Sequence, residues 1–186
     1  MTNDASLKDP LYLRWTVLDH LLKALNENYE IPTSIIKDLQ LARTLTNFYL
    51  DDPTDKDRMK ELPRIEGLLN SIEQNLMIIA DNEGKEFTDE WTQYLLDASK
   101  GKEIFKGIKI QSKFIPGMPA NFEFVRFNFN DPIAEERFIE ICEYENVIIE
   151  FDDNDKSVFV FGEKPQITSA LKELSPFFAE QMVIDE

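Results

Sequence analysis

The feature that most constrains the fold is a change of hydrophobic period near residue 100. Before it, apolar residues recur at steps of three and four, which is typical of amphipathic helices. After it, apolar and polar residues alternate, which is typical of strands. Twelve of the fourteen phenylalanines follow this point and both tryptophans precede it. We therefore predict a helical domain over residues 1–100 and an α+β domain over residues 101–186.

Four amphipathic segments predict an N-terminal antiparallel helical bundle. The apolar stripe of the first segment comprises Leu11, Trp15, Leu18, Leu22, Leu25 and Tyr29. The second segment begins after Pro32 and stops at Asp51. The third begins near Glu61 and the fourth after Thr88. Because the connections are short, neighbouring helices are expected to run in opposite directions.

The order of elements after residue 120 predicts a ferredoxin-like domain. Alternation and turn residues indicate strands at 121–129, 147–151 and 157–161, helices near 132–144 and 165–178, and a short apolar tail at 182–184. This β-α-β-β-α-β order matches the split β-α-β arrangement. The segment 104–110 also alternates, and it predicts an extra strand that extends the sheet or bridges to the bundle.

The stretch EFDDNDKSVFVFGE, residues 150–163, can be read as a calcium loop or as a β-hairpin. A calcium loop of the EF-hand type needs an oxygen ligand at its fifth position and glycine at its sixth. Counted from Asp152, those positions hold Lys156 and Ser157, and a Val-Phe-Val-Phe run follows. The pattern therefore favours a hairpin with a polar connection over 152–156.

The strand NFEFVRFNF ends with FVRF, which matches the tail of an RNA-recognition signature. The preceding positions do not match, since Ala120, Asn121 and Glu123 replace a basic residue and two glycines. Net charge is −16, from 20 basic and 36 acidic side chains, and such a field repels phosphate. We therefore expect no nucleic-acid partner and interpret the phenylalanines as core-facing.

The residues available for catalysis or metal binding are few. His20 and Cys142 are the only histidine and cysteine, so clusters of these ligands are excluded by count. His20 falls off the first helical stripe and is predicted to be exposed. The many carboxylates, such as those of the helix near 135–143, are interpreted as a solvated face. No catalytic residue and no cofactor are expected.

Composition also bears on the setting of the chain. No apolar run approaches the ~18 residues that span a bilayer. The N-terminal MTNDASLKDP lacks the basic flank and apolar stretch of a signal peptide. We therefore predict a cytoplasmic protein with no membrane partner, whose acidity favours basic partners.

The loop FIPGMPANF, residues 114–122, is the candidate contact surface for another protein. Two prolines stiffen it, and Phe114, Ile115 and Met118 place apolar side chains around a turn. The alternative is a domain connection whose apolar residues pack inward.

The stretch IPTSIIKDLQLARTLTNFYLDDP (31–53) has the spacing IP…DL..A.TL.N.Y..DP, and the amphipathic helix ELPRIEGLLNSIEQNL (61–76) follows it. In these two stretches the helical half resembles an uncharacterised family of small proteins from methanogenic archaea. It implies an archaeal cytoplasmic setting. It transfers no catalytic residue, because the family carries no assigned activity.

These observations predict a non-enzymatic protein that works through protein–protein contact, with another protein or with itself as a homodimer. The alternative is a small-molecule sensing or binding module that uses the ferredoxin-like sheet, which rests on analogy of fold. An enzyme that uses carboxylates is the third hypothesis.

Overall fold

The computed structural model describes residues 8–106, 121–129, 135–151 and 157–182. The chain divides into two compact units on either side of the boundary between Met118 and Pro119. The first unit is helical, and the second combines a sheet with helices. Each unit is described by itself below.

The N-terminal unit is a four-helix bundle, as the apolar stripes predict. Its helices are α1 (Pro10–Asn26), α2 (Thr33–Asp51), α3 (Leu62–Ala80) and α4 (Lys85–Ser99). Short 3-10 turns precede α3 (Arg58–Glu61) and follow it (Asp81–Glu83). Helix α1 packs against each of the other three helices.

Local chemistry explains where these helices start. The Oδ1 atom of Asp9 accepts a hydrogen bond of 2.9 Å from the backbone N–H of Leu11, and Pro10 occupies the first turn, where its missing N–H costs nothing. Gly84 has a φ of 104°, a left-handed conformation that lets the chain reverse between α3 and α4.

Helix α1 is the centre of the bundle, and more of it is buried than a single stripe predicts. Of the predicted stripe, Trp15, Leu18, Leu22 and Leu25 are buried, whereas Leu11 is only partly buried and Tyr29 lies beyond the end of α1. The other buried positions of α1 are Tyr12, Leu13, Thr16, Val17, Asp19 and Leu21. The Nε1 atom of Trp15 donates a hydrogen bond of 2.7 Å to the carbonyl of Leu39 on α2. The guanidinium of Arg43 lies over the same indole ring, 5.1 Å from its centroid. A helix with neighbours on three sides buries most of its circumference.

The C-terminal unit contains β1 (Glu123–Asn128), α5 (Glu135–Glu145), β2 (Ile148–Phe151), β3 (Ser157–Gly162) and α6 (Lys164–Met182). The strands form one antiparallel sheet in the order β1-β3-β2. Strand β3 lies between the other two, with Phe127 opposite Val158 and Ile149 opposite Val160. The described residues thus contain the first five elements of the predicted β-α-β-β-α-β order, with the strand arrangement of a split β-α-β unit.

The consecutive strands β2 and β3 pair antiparallel, as the hairpin interpretation of residues 150–163 predicts. Phe151 lies opposite Val158, and the Val-Phe-Val-Phe run belongs to β3. The polar connection 152–156 lies outside the described residues.

Other parts of the predicted layout differ or fall outside the description. Residues 104–106 are not in a strand, and the remainder of the expected strand at 104–110 lies outside the described residues. Met182 is the last residue of α6, which continues past Pro176, whereas Val183 and Ile184 are not described. A proline inside a helix removes one backbone hydrogen bond but does not prevent the next turn from forming.

Helices α5 and α6 cover one face of the sheet. Apolar side chains from both helices and all three strands form the core there: Phe127, Phe129, Phe138, Ile141, Val147, Ile149, Val158, Val160, Ala170 and Leu174. Successive residues of a strand point to opposite faces, so the covered face accounts for only half of the side chains of each strand.

Candidate functional site

Strand β1 has one described strand partner, β3, and carries apolar and charged side chains away from the helices. Phe127 belongs to the core under α5 and α6, and Val125 packs against that core. By alternation, Phe124, Arg126 and Asn128 lie on the opposite face. These three residues are called the β1 surface below.

The phenylalanines of this face become more exposed towards β1. Phe161 on β3 is only 5% exposed, and Phe159 on the same strand is partly buried. Phe124, which lies opposite Phe161 with the ring centroids 5.8 Å apart, is 50% exposed. Among the described residues, the accessible apolar area of this face is therefore on β1, not over the central strand β3.

Arg126 is held in a defined position on the β1 surface. Its guanidinium lies over the ring of Phe159, 5.3 Å from the centroid, and its Nη2 atom donates a hydrogen bond of 3.1 Å to the hydroxyl of Ser157. That hydroxyl donates a bond of 2.8 Å to the Oδ1 atom of Asn128. This chain of contacts orients the Arg126 cation on the face of β1 that also carries the half-exposed ring of Phe124.

The prediction that the phenylalanines around β1 are core-facing is correct for only some of them. Phe127 and Phe129 are buried, whereas Phe124 is half exposed on the other face. The sequence carries the signal, because residues 122 and 124 share one parity and residues 127 and 129 share the other. A strand of period two cannot direct both pairs to the same face.

His20 was predicted to be exposed but is partly buried. Its ring stacks on that of Phe105 with the centroids 4.2 Å apart, and Trp91 and Tyr94 of α4 surround the same phenylalanine. Burial lowers the pKa of His20 from its ordinary value of 6.5, Asp19 opposes this shift, and Lys23 adds to it. Its Nε2 atom is buried and has no hydrogen-bond partner among the described residues, so these surroundings favour the neutral ring.

The acidic groups of the bundle whose pKa values shift have local causes. Hydrogen bonds from Thr54 lower the pKa of Asp52, and Lys60 lowers that of Asp57. Lys102 lowers the pKa of Asp97, and burial raises that of Asp38. The three lowered pKa values occur where neighbouring side chains hold turns and helix ends, so these charges have a structural role.

An open groove of about 600 Å³ lies between α5 and α6. Its lining comprises Arg137, Glu140, Ile141, Glu143, Tyr144 and Glu173. Arg137 forms ion pairs with Glu140 at 2.7 Å and with Glu173 at 3.6 Å. Of the lining residues only Ile141 is buried, so the groove is a charged, solvated surface.

The described segments run from residue 8 to residue 182, with gaps. They contain no group of three or more histidine, cysteine, aspartate or glutamate side chains that could hold a metal ion. None of their helices combines the length and apolar character needed to cross a membrane. The loop residues Phe114, Ile115 and Met118, predicted as a contact surface, lie outside these segments, so that hypothesis stays a prediction.

The fold places the chain among proteins that join an N-terminal helical bundle to a small α+β domain. Residues 11–105 match the DUF2096 N-terminal four-helical bundle domain, and residues 121–180 match the DUF2096 C-terminal KH-like domain. The chain belongs to the DUF2096 family. It is 25% identical over 178 residues to the uncharacterised protein MJ0856 of Methanocaldococcus jannaschii, an alignment covering 90% of this chain and 91% of that protein. No solved structure matches the chain significantly.

Proposed function

We propose that this protein is a non-enzymatic, cytoplasmic interaction module that associates with a second copy of itself. The observation that carries the proposal is the β1 surface, where Phe124 is half exposed on a strand whose only described partner is β3. An edge strand with an apolar side chain beside it is a ready template for pairing with another chain.

The KH-like match does not lead us to propose a nucleic-acid partner. KH domains clamp a nucleic-acid backbone with a GXXG loop. Residues 121–180 contain one glycine, Gly162, and it lies at the end of β3. The net charge of −16 adds a long-range repulsion of phosphate.

The small-molecule alternative has less support from the described surface. The groove between α5 and α6 has a volume within the range of ligand sites, which is roughly 300–1,000 Å³. Ligand sites are mostly apolar and enclosed, whereas this groove is open and lined mainly by exposed charged side chains. The protein–protein hypothesis is therefore the one that we carry forward.

Sedimentation equilibrium at protein concentrations from about 1 µM to 1 mM tests the proposal, because even a weak dimer forms in measurable amounts within this range. We expect the average mass to rise from that of one chain towards that of two. Phe124→Ser should lower the association, whereas Tyr144→Ser should leave it unchanged. Tyr144 is a matched control, since it is an aromatic residue of the same domain, 84% exposed, on α5 rather than on the sheet. A mass of one chain throughout the range would refute self-association.

A further inference from the structure

We propose that the stack of His20 on Phe105 holds the segment that follows α4, residues 102–106, on the bundle, and that protonation of the imidazole releases this segment. The device lies within the bundle, goes beyond the proposed self-association and does not depend on it. His20 is the only histidine of the chain, so a single side chain carries the response in the pH range where histidines titrate.

Phe105 is the side chain that attaches this segment to the helices. Its ring is stacked on that of His20 of α1, with the centroids 4.2 Å apart and an angle of 19° between the planes. It also contacts two rings of α4, with centroid distances of 5.8 Å to Trp91 and 5.5 Å to Tyr94. The partly buried ring of Phe105 therefore bridges the first and the last helix of the bundle.

Hydrogen bonds fix the segment only at its start. The backbone N–H of Lys102 donates to the carbonyl of Asp97 at 3.0 Å, and its Nζ atom donates to the Asp97 carboxylate at 2.8 Å. Residues 103–106 make no hydrogen bond with other described residues. The aromatic contacts of Phe105 are therefore the main attachment of this stretch.

The surroundings of His20 disfavour the protonated ring while Phe105 is in place. The buried Nε2 atom has no hydrogen-bond partner among the described residues. An imidazolium has an N–H donor at both ring nitrogens, and a buried donor without an acceptor costs free energy. Phe105 covers one face of the ring, so its departure lets water reach the cation. Protonation of His20 and docking of Phe105 therefore oppose each other.

The neighbouring charges do not remove this cost. Burial is the largest influence on the pKa of His20 and lowers it below 6.5. The carboxylate of Asp19 opposes this shift, but it is paired with Lys23, whose charge lowers the pKa further. Side chains of α4 and of the segment are paired or exposed: the Tyr94 hydroxyl donates to Glu90, Lys102 pairs with Asp97, and Glu103 and Lys106 are exposed. Among the described groups, Asp19 is the anion whose charge acts on the ring.

Docking of Phe105 should be strongest above pH 6.5. In the docked state the pKa of His20 is lowered, and in the released state, with the ring in water, it returns towards 6.5, so the released state binds more protons. Docking therefore weakens as the pH falls towards the pKa of the docked state. By linkage, a pKa that docking lowers by one corresponds to about tenfold weaker docking of the protonated chain.

Nuclear magnetic resonance measures the pKa of His20 directly, because no other histidine contributes ring signals. We expect Phe105→Ala to raise this pKa by at least about 0.5, which corresponds to about threefold coupling. Phe87→Ala is the matched control, since Phe87 packs on the same Trp91 ring with a centroid distance of 5.8 Å, and it should leave the pKa unchanged. A pKa that stays constant in Phe105→Ala would overturn the inference. So would a pKa that falls, because it would show that Phe105 attracts the cation.

Tryptophan emission follows the release itself. Trp91 is 7% exposed and lies against Phe105, so release should move the emission to longer wavelengths. The measurement runs from pH 7.5 to one pH unit below the measured pKa of His20, and circular dichroism shows that the helices stay folded. Nuclear Overhauser contacts between the His20 and Phe105 rings should weaken over the same interval.

His20→Phe keeps an aromatic ring in the stack but cannot be protonated. Its emission should therefore stay constant over that interval. An equal shift in His20→Phe, or a natural chain in which His20 titrates while the emission and the ring contacts stay constant, would overturn the inference.

Discussion

In the bundle, helix α1 is enclosed by the three other helices, and its apolar side chains on several sides are buried. In the C-terminal domain, the helices cover one face of the sheet, and Phe124 is left half exposed on the other. The difference follows from geometry, because a helix can be surrounded whereas a small open sheet always has edges. Self-association is therefore expected from the domain with the edge, and the bundle is expected to supply stability.

The largest expected effect is the loss of an aromatic side chain from the core of the C-terminal domain. Phe138 on α5 is fully buried among residues of all three strands and of α6. We expect Phe138→Ala to lower the free energy of unfolding of this domain by about 4 kcal/mol, since it leaves a cavity. Hydrogen exchange of the β3 amides should accelerate accordingly. Tyr144→Ser on the same helix is the control and should leave that exchange unchanged.

In the bundle, truncating a buried side chain of α1 should lower the free energy of unfolding almost as much. Leu18 is fully buried on α1, and Leu18→Ala should cost about 3 kcal/mol. The measurement is denaturant unfolding followed by tryptophan fluorescence. Ile78→Ala on α3 is the control, because Ile78 is 68% exposed and its truncation should change stability by less than about 0.5 kcal/mol. A similar loss for both variants would contradict the enclosed bundle.

Replacing Phe124 on β1 should weaken self-association much more than it lowers stability. Phe124→Ser removes a half-exposed side chain, so we expect its effect on unfolding to be about 1 kcal/mol or less. The same variant should weaken self-association at least about tenfold, because edge pairs depend on cross-strand side chains. Thermal unfolding and sedimentation of one preparation compare the two quantities. Loss of stability as large as that of Phe138→Ala would place Phe124 in the core instead.

The smallest effect concerns pH and the bundle. Burial lowers the pKa of His20, so near pH 6.5 the folded chain binds fewer protons than the unfolded chain. This contribution to stability is complete above pH 6.5 and is lost as the pH falls towards the folded pKa. Comparing unfolding at pH 7.5 and 5.5 should show a larger loss for the natural chain than for His20→Phe. The variant keeps an aromatic ring against Phe105 but does not titrate, and equal losses would exclude His20 as the source.

Patterns of local period predicted most of the fold. The step of three and four identified the buried stripe of α1, and the change to alternation identified the hairpin of β2 and β3. The sequence did not reveal that α1 has neighbours on three sides, because burial around a helix depends on how the other helices are arranged. It also did not place Phe105 against His20, since these residues are 85 positions apart and neither carries a motif.

The candidate site was only partly readable from the sequence. The parity of the phenylalanines around β1 shows that some of them must leave the core, and this could have identified Phe124. The position of Arg126 over Phe159 could not be foreseen, because it requires β1 and β3 to be neighbours in a known register. The hypothesis based on Phe114, Ile115 and Met118 stays open for experiment.

Both tryptophans of the chain lie in the bundle, Trp15 on the enclosed helix and Trp91 beside Phe105. Both are buried, so their emission should shift to longer wavelengths when water reaches them. Strand β1 contains no tryptophan. The natural chain therefore has an optical reporter of one domain, and a single tryptophan placed at Phe124 would add a reporter of the edge strand whose emission could follow pairing directly.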